Sequence, residues 1–379
     1  MSWWGRFDLG EVLADFERLS SAGMDSVRLF LLWEDFQPEA ARVDLATMRR
    51  LVDVADAAQS AGLEIVPTLF TGHMSGVNWI PSWAMGGAER DERFRVMSGG
   101  GLDRRGLRSW YADEDVAAAQ TLLATEAASA LAGHVALWAW DLGNENSNCV
   151  VPEDRSQGRR WLRQMASAIR DADPGAAVTI GLHMEDLELD RRIGPREAAE
   201  TCDFLTMHGY PIYAAWADGT TDPHLVPFLA RLTRWLGDGA DVVFSEFGLP
   251  TSPGRELASP MLVGEQDAAR YTAAVLAGLR DAGCVGAMVW CHADYAPAIW
   301  SEPPLDDARH ERSFGLWRAD GSPKPAVKIV TAFAGSSRLD APVDRWIDVD
   351  HDRYWREPST QLPRLYRRYR EGNGPILQG

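Results

Sequence analysis

Apolar positions along the chain follow two alternating rhythms. Leu9, Val12, Leu13, Phe16 and Leu19 recur at helical spacing over residues 9–22, and Gly23 stops the pattern. Ser26 to Trp33 is then a short, nearly continuous apolar run, as expected of a strand buried on both faces. A turn at Glu34-Asp35-Phe36-Gln37-Pro38 leads to a helix from about Leu45 to Ala61, and Leu63 to Phe70 gives a second strand. Further helices are predicted at 113–132, 155–172, near 195–201, at about 224–236, at 264–282 and near 324–334. Between them lie strands leading to Glu145, from Ala177 to His183, from Asp203 to Tyr210, leading to Glu246, and from Val285 to Cys291. Strictly alternating strands and helices imply a parallel sheet with helices outside it.

The count is seven strands and eight helices, with a helix first. The expected fold is therefore α/β, a (β/α)8 TIM barrel whose first strand is missing or truncated at the N-terminus, since only Met1 to Asp8 precede the first helix. Met1-Ser2-Trp3-Trp4 reads like the middle of a loop following that strand. A gap there would expose two strand edges, so another segment is expected to cover it. Two long stretches, Thr71 to Ala112 and about 292–322, carry little periodicity, and loops of that length in a compact domain are usually functional. Residues 1–335 are read as the catalytic barrel. Residues 336–379, with Trp346, Tyr354, Trp355 and a helix over 360–371, are read as an arm packed on it, too short for a second domain.

Charge narrows the partners. Lys and Arg number 38 against 55 Asp and Glu, a net charge of -17. Such a surface repels nucleic acid, anionic membranes and polyanionic sugars, and leaves a neutral substrate. No apolar run is long enough to span a membrane and the start lacks a signal-peptide core, which points to a cytoplasmic address. Cys149, Cys202, Cys284 and Cys291 are scattered and read as free thiols. The 16 tryptophans exceed the needs of a core this size, and flat rings are platforms for the C–H faces of neutral sugars.

Chemistry concentrates at two strand ends. Glu145 closes His134-Val135-Ala136-Leu137-Trp138-Ala139-Trp140-Asp141-Leu142-Gly143-Asn144-Glu145, and Glu246 lies in Val242-Val243-Phe244-Ser245-Glu246-Phe247-Gly248. In α/β folds the chemistry lies just past the carboxyl ends of the strands. Two carboxylates in one pocket are the minimal equipment for cleaving a glycosidic bond. Each glutamate alone reads as a turn or surface residue; the two together, each at a strand end, read as a site. His73, His183, His208 and His292 near strand ends raise a metal-dependent hydrolase as an alternative, but no HxH pair or aspartate set accompanies them, so no metal or cofactor is expected. Trp138 and Trp140 share one strand face and read as core.

Gly143-Asn144-Glu145-Asn146, Ser245-Glu246-Phe247-Gly248, His208-Gly209-Tyr210, Val27-Arg28-Leu29 and Val289-Trp290 together resemble glycoside hydrolase family 5, over roughly residues 9 to 334. The resemblance implies Glu145 as acid/base and Glu246 as nucleophile, at the ends of strands four and seven once the absent strand is counted. It implies carboxyls about 5–5.5 Å apart and retention of configuration. Asn144 would bond the sugar 2-hydroxyl, Tyr210 and Arg28 would hold Glu246 ionised and oriented, and His208 would support the acid side. By position, His73, Asn78, Trp79, Trp83, Trp290 and Trp300 are candidate substrate contacts. Thr71-Gly72-His73-Met74-Ser75-Gly76, with Trp33-Glu34-Asp35-Phe36-Gln37-Pro38, looks like the branch containing β-mannosidases. The expected activity is a retaining exo-β-mannosidase on neutral β-linked oligosaccharides, with endo-β-1,4-mannanase or β-glucosidase/cellulase as alternatives. A non-catalytic sugar-binding barrel is the alternative of another class.

Overall fold

The computed structural model describes residues 3–87, 93–252 and 259–373. These form two compact units. The first comprises 1–182 and 191–204, the second 183–190 and 205–379, each within the described range.

The first unit is built on a four-stranded parallel sheet in the order β1 (Ser26–Leu32), β2 (Glu64–Thr71), β3 (Ala139–Asn144) and β4 (Ala177–Gly181). Its helices are α1 (Leu9–Ser21), α2 (Leu45–Ala61), α3 (Glu114–Ala130), α4 (Arg155–Ala172) and the short α5 (Pro195–Ala199). Asp8, Asp44, Asp113 and Asp154 each cap one of the first four by accepting backbone N–H groups of the first turn. Leu31, Ile65, Leu69, Trp140 and Leu142 are sealed inside, as their apolar runs require.

Ahead of α1 there is no strand among the described residues; Met1 and Ser2 lie outside them. Trp4–Arg6 instead makes one 3-10 turn. Trp4 is buried edge-on against Phe36 and its indole N–H donates to the carbonyl of Phe30 at 2.8 Å, while Arg50 donates to the Trp4 carbonyl. β1 is the edge strand of its sheet, and this turn packs against it through the Phe30 carbonyl. The stretch after β2 holds short ribbons: His73–Met74, Val77–Trp79, Arg95–Ser98 and Gly101–Asp103 pair into a small sheet of their own. Strands of two to four residues show no periodicity, which is why the sequence reads there as loop.

The second unit carries a three-stranded parallel sheet, β5 (Leu205–His208), β6 (Val242–Phe247) and β7 (Gly286–Val289). Against it lie α6 (Leu225–Leu236), α7 (Glu265–Asp281) and α8 (Pro325–Phe333). The arm holds α9 (His351–Arg356) and α10 (Pro358–Asn373). It packs on α6 through Trp346, Tyr366 and Tyr369 around Phe228. It is pinned by the Tyr354 hydroxyl donating to the Leu187 carbonyl and by Tyr366 and Arg370 donating to buried Asp222. None of the four cysteines is in a disulfide. Burial pushes the Cys202, Cys284 and Cys291 thiols up, Cys284 to about 12, so they are inert at neutral pH.

Candidate functional site

In the first unit the organising residue is Asp141, in the middle of β3 and fully buried. One carboxylate oxygen accepts Arg28 Nε at 2.8 Å, Arg28 Nη2 at 2.6 Å and the Thr68 hydroxyl at 2.8 Å. The other accepts the backbone N–H of Gly143 at 3.2 Å and of Gly181 at 2.8 Å. A buried charge is tolerable only when paired and fully hydrogen-bonded, and here those bonds come from all four strands. Arg28 also donates to Asn144 Oδ1 at 2.9 Å, and Asn144 Nδ2 donates to the His73 carbonyl at 2.8 Å. The Asn144 amide is thus locked before any ligand arrives.

Glu145 follows at the carboxyl end of β3 in the left-handed region, φ 50°, where residues with a side chain are rare. Its N–H donates to the Gly181 carbonyl at 2.9 Å, and Asn148 Nδ2 donates to its Oε2 at 3.0 Å. The preceding Gly143 has φ 156°, and a Cβ there would overlap the Asn146 amide, lying 2.6 Å from its Cγ. Glycine is what lets the chain turn at this point. His73 stands with Nε2 3.8 Å from Glu145 Oε2 and Nδ1 2.7 Å from Asn78 Oδ1, while Asn78 Nδ2 donates to the Asn148 carbonyl. With the amide so oriented, His73 carries its proton on Nδ1.

In the second unit Glu246 lies on β6 in register with His208 on β5. Its side chain is buried; the Tyr210 hydroxyl donates to Oε2 at 2.7 Å, and His208 Nδ1 lies 3.7 Å from Oε1. His208 and Tyr210, two residues apart, therefore face the same way, as the strand period requires. His208 was expected to support the acid side; here its Nδ1 faces Glu246. Both motif glycines are steric necessities: a Cβ on Gly209 would meet Leu229 Cδ1 at 2.5 Å, and one on Gly248 would strike the Trp290 carbonyl.

The remaining candidates separate. Trp83 donates its indole N–H to the Gln37 carbonyl and packs edge-on against Trp33, while Trp79 is half-buried in the ribbon beside Met97. Trp290, just past β7, is half-buried. Trp300 is 38% exposed, with its N–H on the Tyr295 carbonyl and the Arg312 guanidinium over its ring. His183, on the second unit, has Nε2 3.7 Å from Asp186 Oδ1, and His292 packs on Trp317. Asp141, Thr68 and Asn148 were missed. An aspartate inside an apolar run, with one arginine inside another, was the available signal for Asp141.

Among solved structures the chain aligns with a GH5_18 protein from Streptomyces cattleya in complex with GlcNAc, at 22% identity over 97% of this chain and 86% of that one, TM-score 0.77. The chain shares the fold of glycoside hydrolase family 5. An exo-β-1,4-mannosidase from Opitutaceae bacterium strain TAV5 matches at 27% identity over 88% of this chain and 56% of that one, TM-score 0.71. A GH5_18 variant from Bifidobacterium longum subsp. longum in complex with Manβ1-4GlcNAc matches at 19% identity over 90% and 77%, TM-score 0.72. No family model and no curated protein matches the chain. Glu145 lies just past the end of β3 and Glu246 near the end of β6.

Proposed function

We propose that the chain is a retaining exo-β-mannosidase that cleaves neutral β-linked mannosides from short oligosaccharides. The single observation that carries this is the buried Glu246 carboxylate at the end of β6 with the Tyr210 hydroxyl on it. A nucleophile needs to be aimed and shielded from water, and the Tyr210 hydroxyl and the burial of Glu246 supply these two. Glu145 is the acid/base. In neutral His73 the Nδ1 proton leaves Nε2 as a lone pair toward Glu145 Oε2, a setting that suits a protonated carboxyl. The architecture we propose is the (β/α)8 barrel of residues 1–335 with the arm of 336–379 packed on it.

The steps follow from the residue chemistry. Glu246 attacks the anomeric carbon while Glu145 gives its proton to the leaving oxygen, forming a glycosyl ester. Glu145, now a carboxylate, takes a proton from water, which attacks the same carbon and releases Glu246 with net retention. Asn144, with its amide fixed between Arg28 and His73, meets the sugar 2-hydroxyl. The mannosidase reading draws on relatives described with Manβ1-4GlcNAc and as an exo-β-1,4-mannosidase. No helix among the described residues is long and apolar enough to cross a membrane.

A panel of aryl β-glycosides tests the reading. Turnover of the β-mannoside above the β-glucoside, lost in both Glu145→Ala and Glu246→Ala, is expected. Preference for the β-glucoside moves the chain to the glucosidase alternative, and binding without turnover on any glycoside moves it to the sugar-binding class.

A further inference from the structure

Tyr213 ends the 3-10 turn Pro211–Tyr213 that follows Tyr210, and it is 47% exposed. Among the described residues, Tyr213 and Trp300 are the two aromatic side chains more than a third exposed. Unlike an ordinary surface tyrosine, Tyr213 has its far end bolted down. Its hydroxyl lies 2.6 Å from His310 Nε2 and 3.0 Å from Glu311 Oε1, and those two atoms are 3.4 Å apart.

A carboxylate only accepts and a hydroxyl has one proton, so Tyr213 donates to Glu311 and accepts from the Nε2–H of His310. Burial holds His310 below its ordinary pKa, consistent with a neutral ring in that tautomer. Glu311 is buried, so its hydrogen bond holds the Tyr213 hydroxyl away from competing water. The ring stands edge-on to Tyr210, centroids 5.9 Å apart, and Tyr210 is the residue whose hydroxyl holds Glu246. A partly exposed aromatic ring, held at its hydroxyl, is thus one ring away from that carboxylate.

We propose that Tyr213 is a stacking platform for the sugar unit adjoining the one attacked by Glu246, an assignment that rests on the glycosidase reading above. A neutral pyranose presents an apolar C–H face that fits a flat ring, and a ring already immobilised loses little entropy on binding. His310 and Glu311 are positioning residues that act through Tyr213.

The test compares kcat/KM for β-1,4-mannobiose with that for β-mannosyl fluoride, whose leaving group carries no ring, in the full chain, Tyr213→Ala, Tyr213→Phe and Tyr213→Trp. The expected ratio of disaccharide to fluoride falls about tenfold in Tyr213→Ala and about threefold in Tyr213→Phe, which keeps the ring but loses its anchor, and recovers in Tyr213→Trp. A Tyr213→Ala ratio within twofold of the unaltered chain overturns the proposal, as does a Tyr213→Trp ratio no better than that of Tyr213→Ala. If the unaltered chain turns over neither substrate, the same comparison is made from calorimetric Kd values for mannobiose and mannose. Tighter binding of mannobiose that Tyr213→Ala removes then upholds the platform while the glycosidase reading fails. Absence of saccharide binding overturns both.

Discussion

Replacing Asp141 by Asn tests whether the buried pair with Arg28 holds the first unit together. An amide keeps one of the two carboxylate oxygens. If that oxygen stays toward Arg28 and Thr68, the new NH2 group confronts the N–H donors of Gly143 and Gly181; if it is reversed, it confronts the guanidinium. The milder orientation leaves two buried backbone donors without an acceptor, at about 1–3 kcal/mol each. Either orientation removes the Asp141 charge from beside the Arg28 guanidinium, and breaking such a buried pair costs about 3–5 kcal/mol. We expect a loss of about 4 kcal/mol, read from the midpoint and slope of urea unfolding followed by circular dichroism. Arg28→Met should cost a similar amount, and the double variant should be about 2 kcal/mol more stable than the sum of the single losses implies, because the two changes remove one interaction. A loss below about 1 kcal/mol for Asp141→Asn, or strict additivity in the cycle, would refute the argument.

Gly143→Ala sets a Cβ against the Asn146 amide at φ 156°, and a drop in kcat of at least about tenfold is expected because Glu145 is displaced; near-normal kcat would show that the turn tolerates a side chain. Burial holds His224 and His310 below the ordinary 6.5, so the folded chain binds fewer protons than the unfolded one just below that pH, and stability rises with pH across the window. The Tm measured from pH 7 down to 5 should therefore fall, with a shallower slope in the His224→Asn/His310→Asn double variant, and an unchanged slope would exclude these groups. Activity should withstand EDTA, since both proposed catalytic groups are carboxyls; a rate that collapses in EDTA and returns with a divalent ion would revive the metal alternative.

Long elements were legible because their periodicity is a direct image of burial. Each strand and helix predicted from Leu9 to Phe333 is present, with ends shifted by a few residues, as at β7, predicted as Val285 to Cys291 and observed as Gly286–Val289. Glu145, Glu246, His208 and Tyr210 stand out in the sequence because each lies at or just past the end of an apolar run. The partners were not legible. Which donor meets Asp141 depends on strands 73 and 113 residues away in sequence, and no local pattern encodes that pairing. The left-handed backbone at Glu145 was equally hidden, since glutamate has no preference for it. Loop tryptophans looked like sugar platforms by residue type, whereas exposure is set by tertiary packing. Trp83 lies against Trp33, and the more open ring is that of Tyr213, which the sequence did not single out.

On the proposed function, Glu246 forms the covalent bond to the sugar. Incubation with 2-deoxy-2-fluoro-β-mannosyl fluoride slows release of the glycosyl ester enough to isolate it, and peptide mapping by mass spectrometry locates the attached sugar. The account predicts one fluorosugar, on Glu246, absent in Glu246→Ala. A label on any other residue, or turnover that proceeds with inversion and no label, contradicts it.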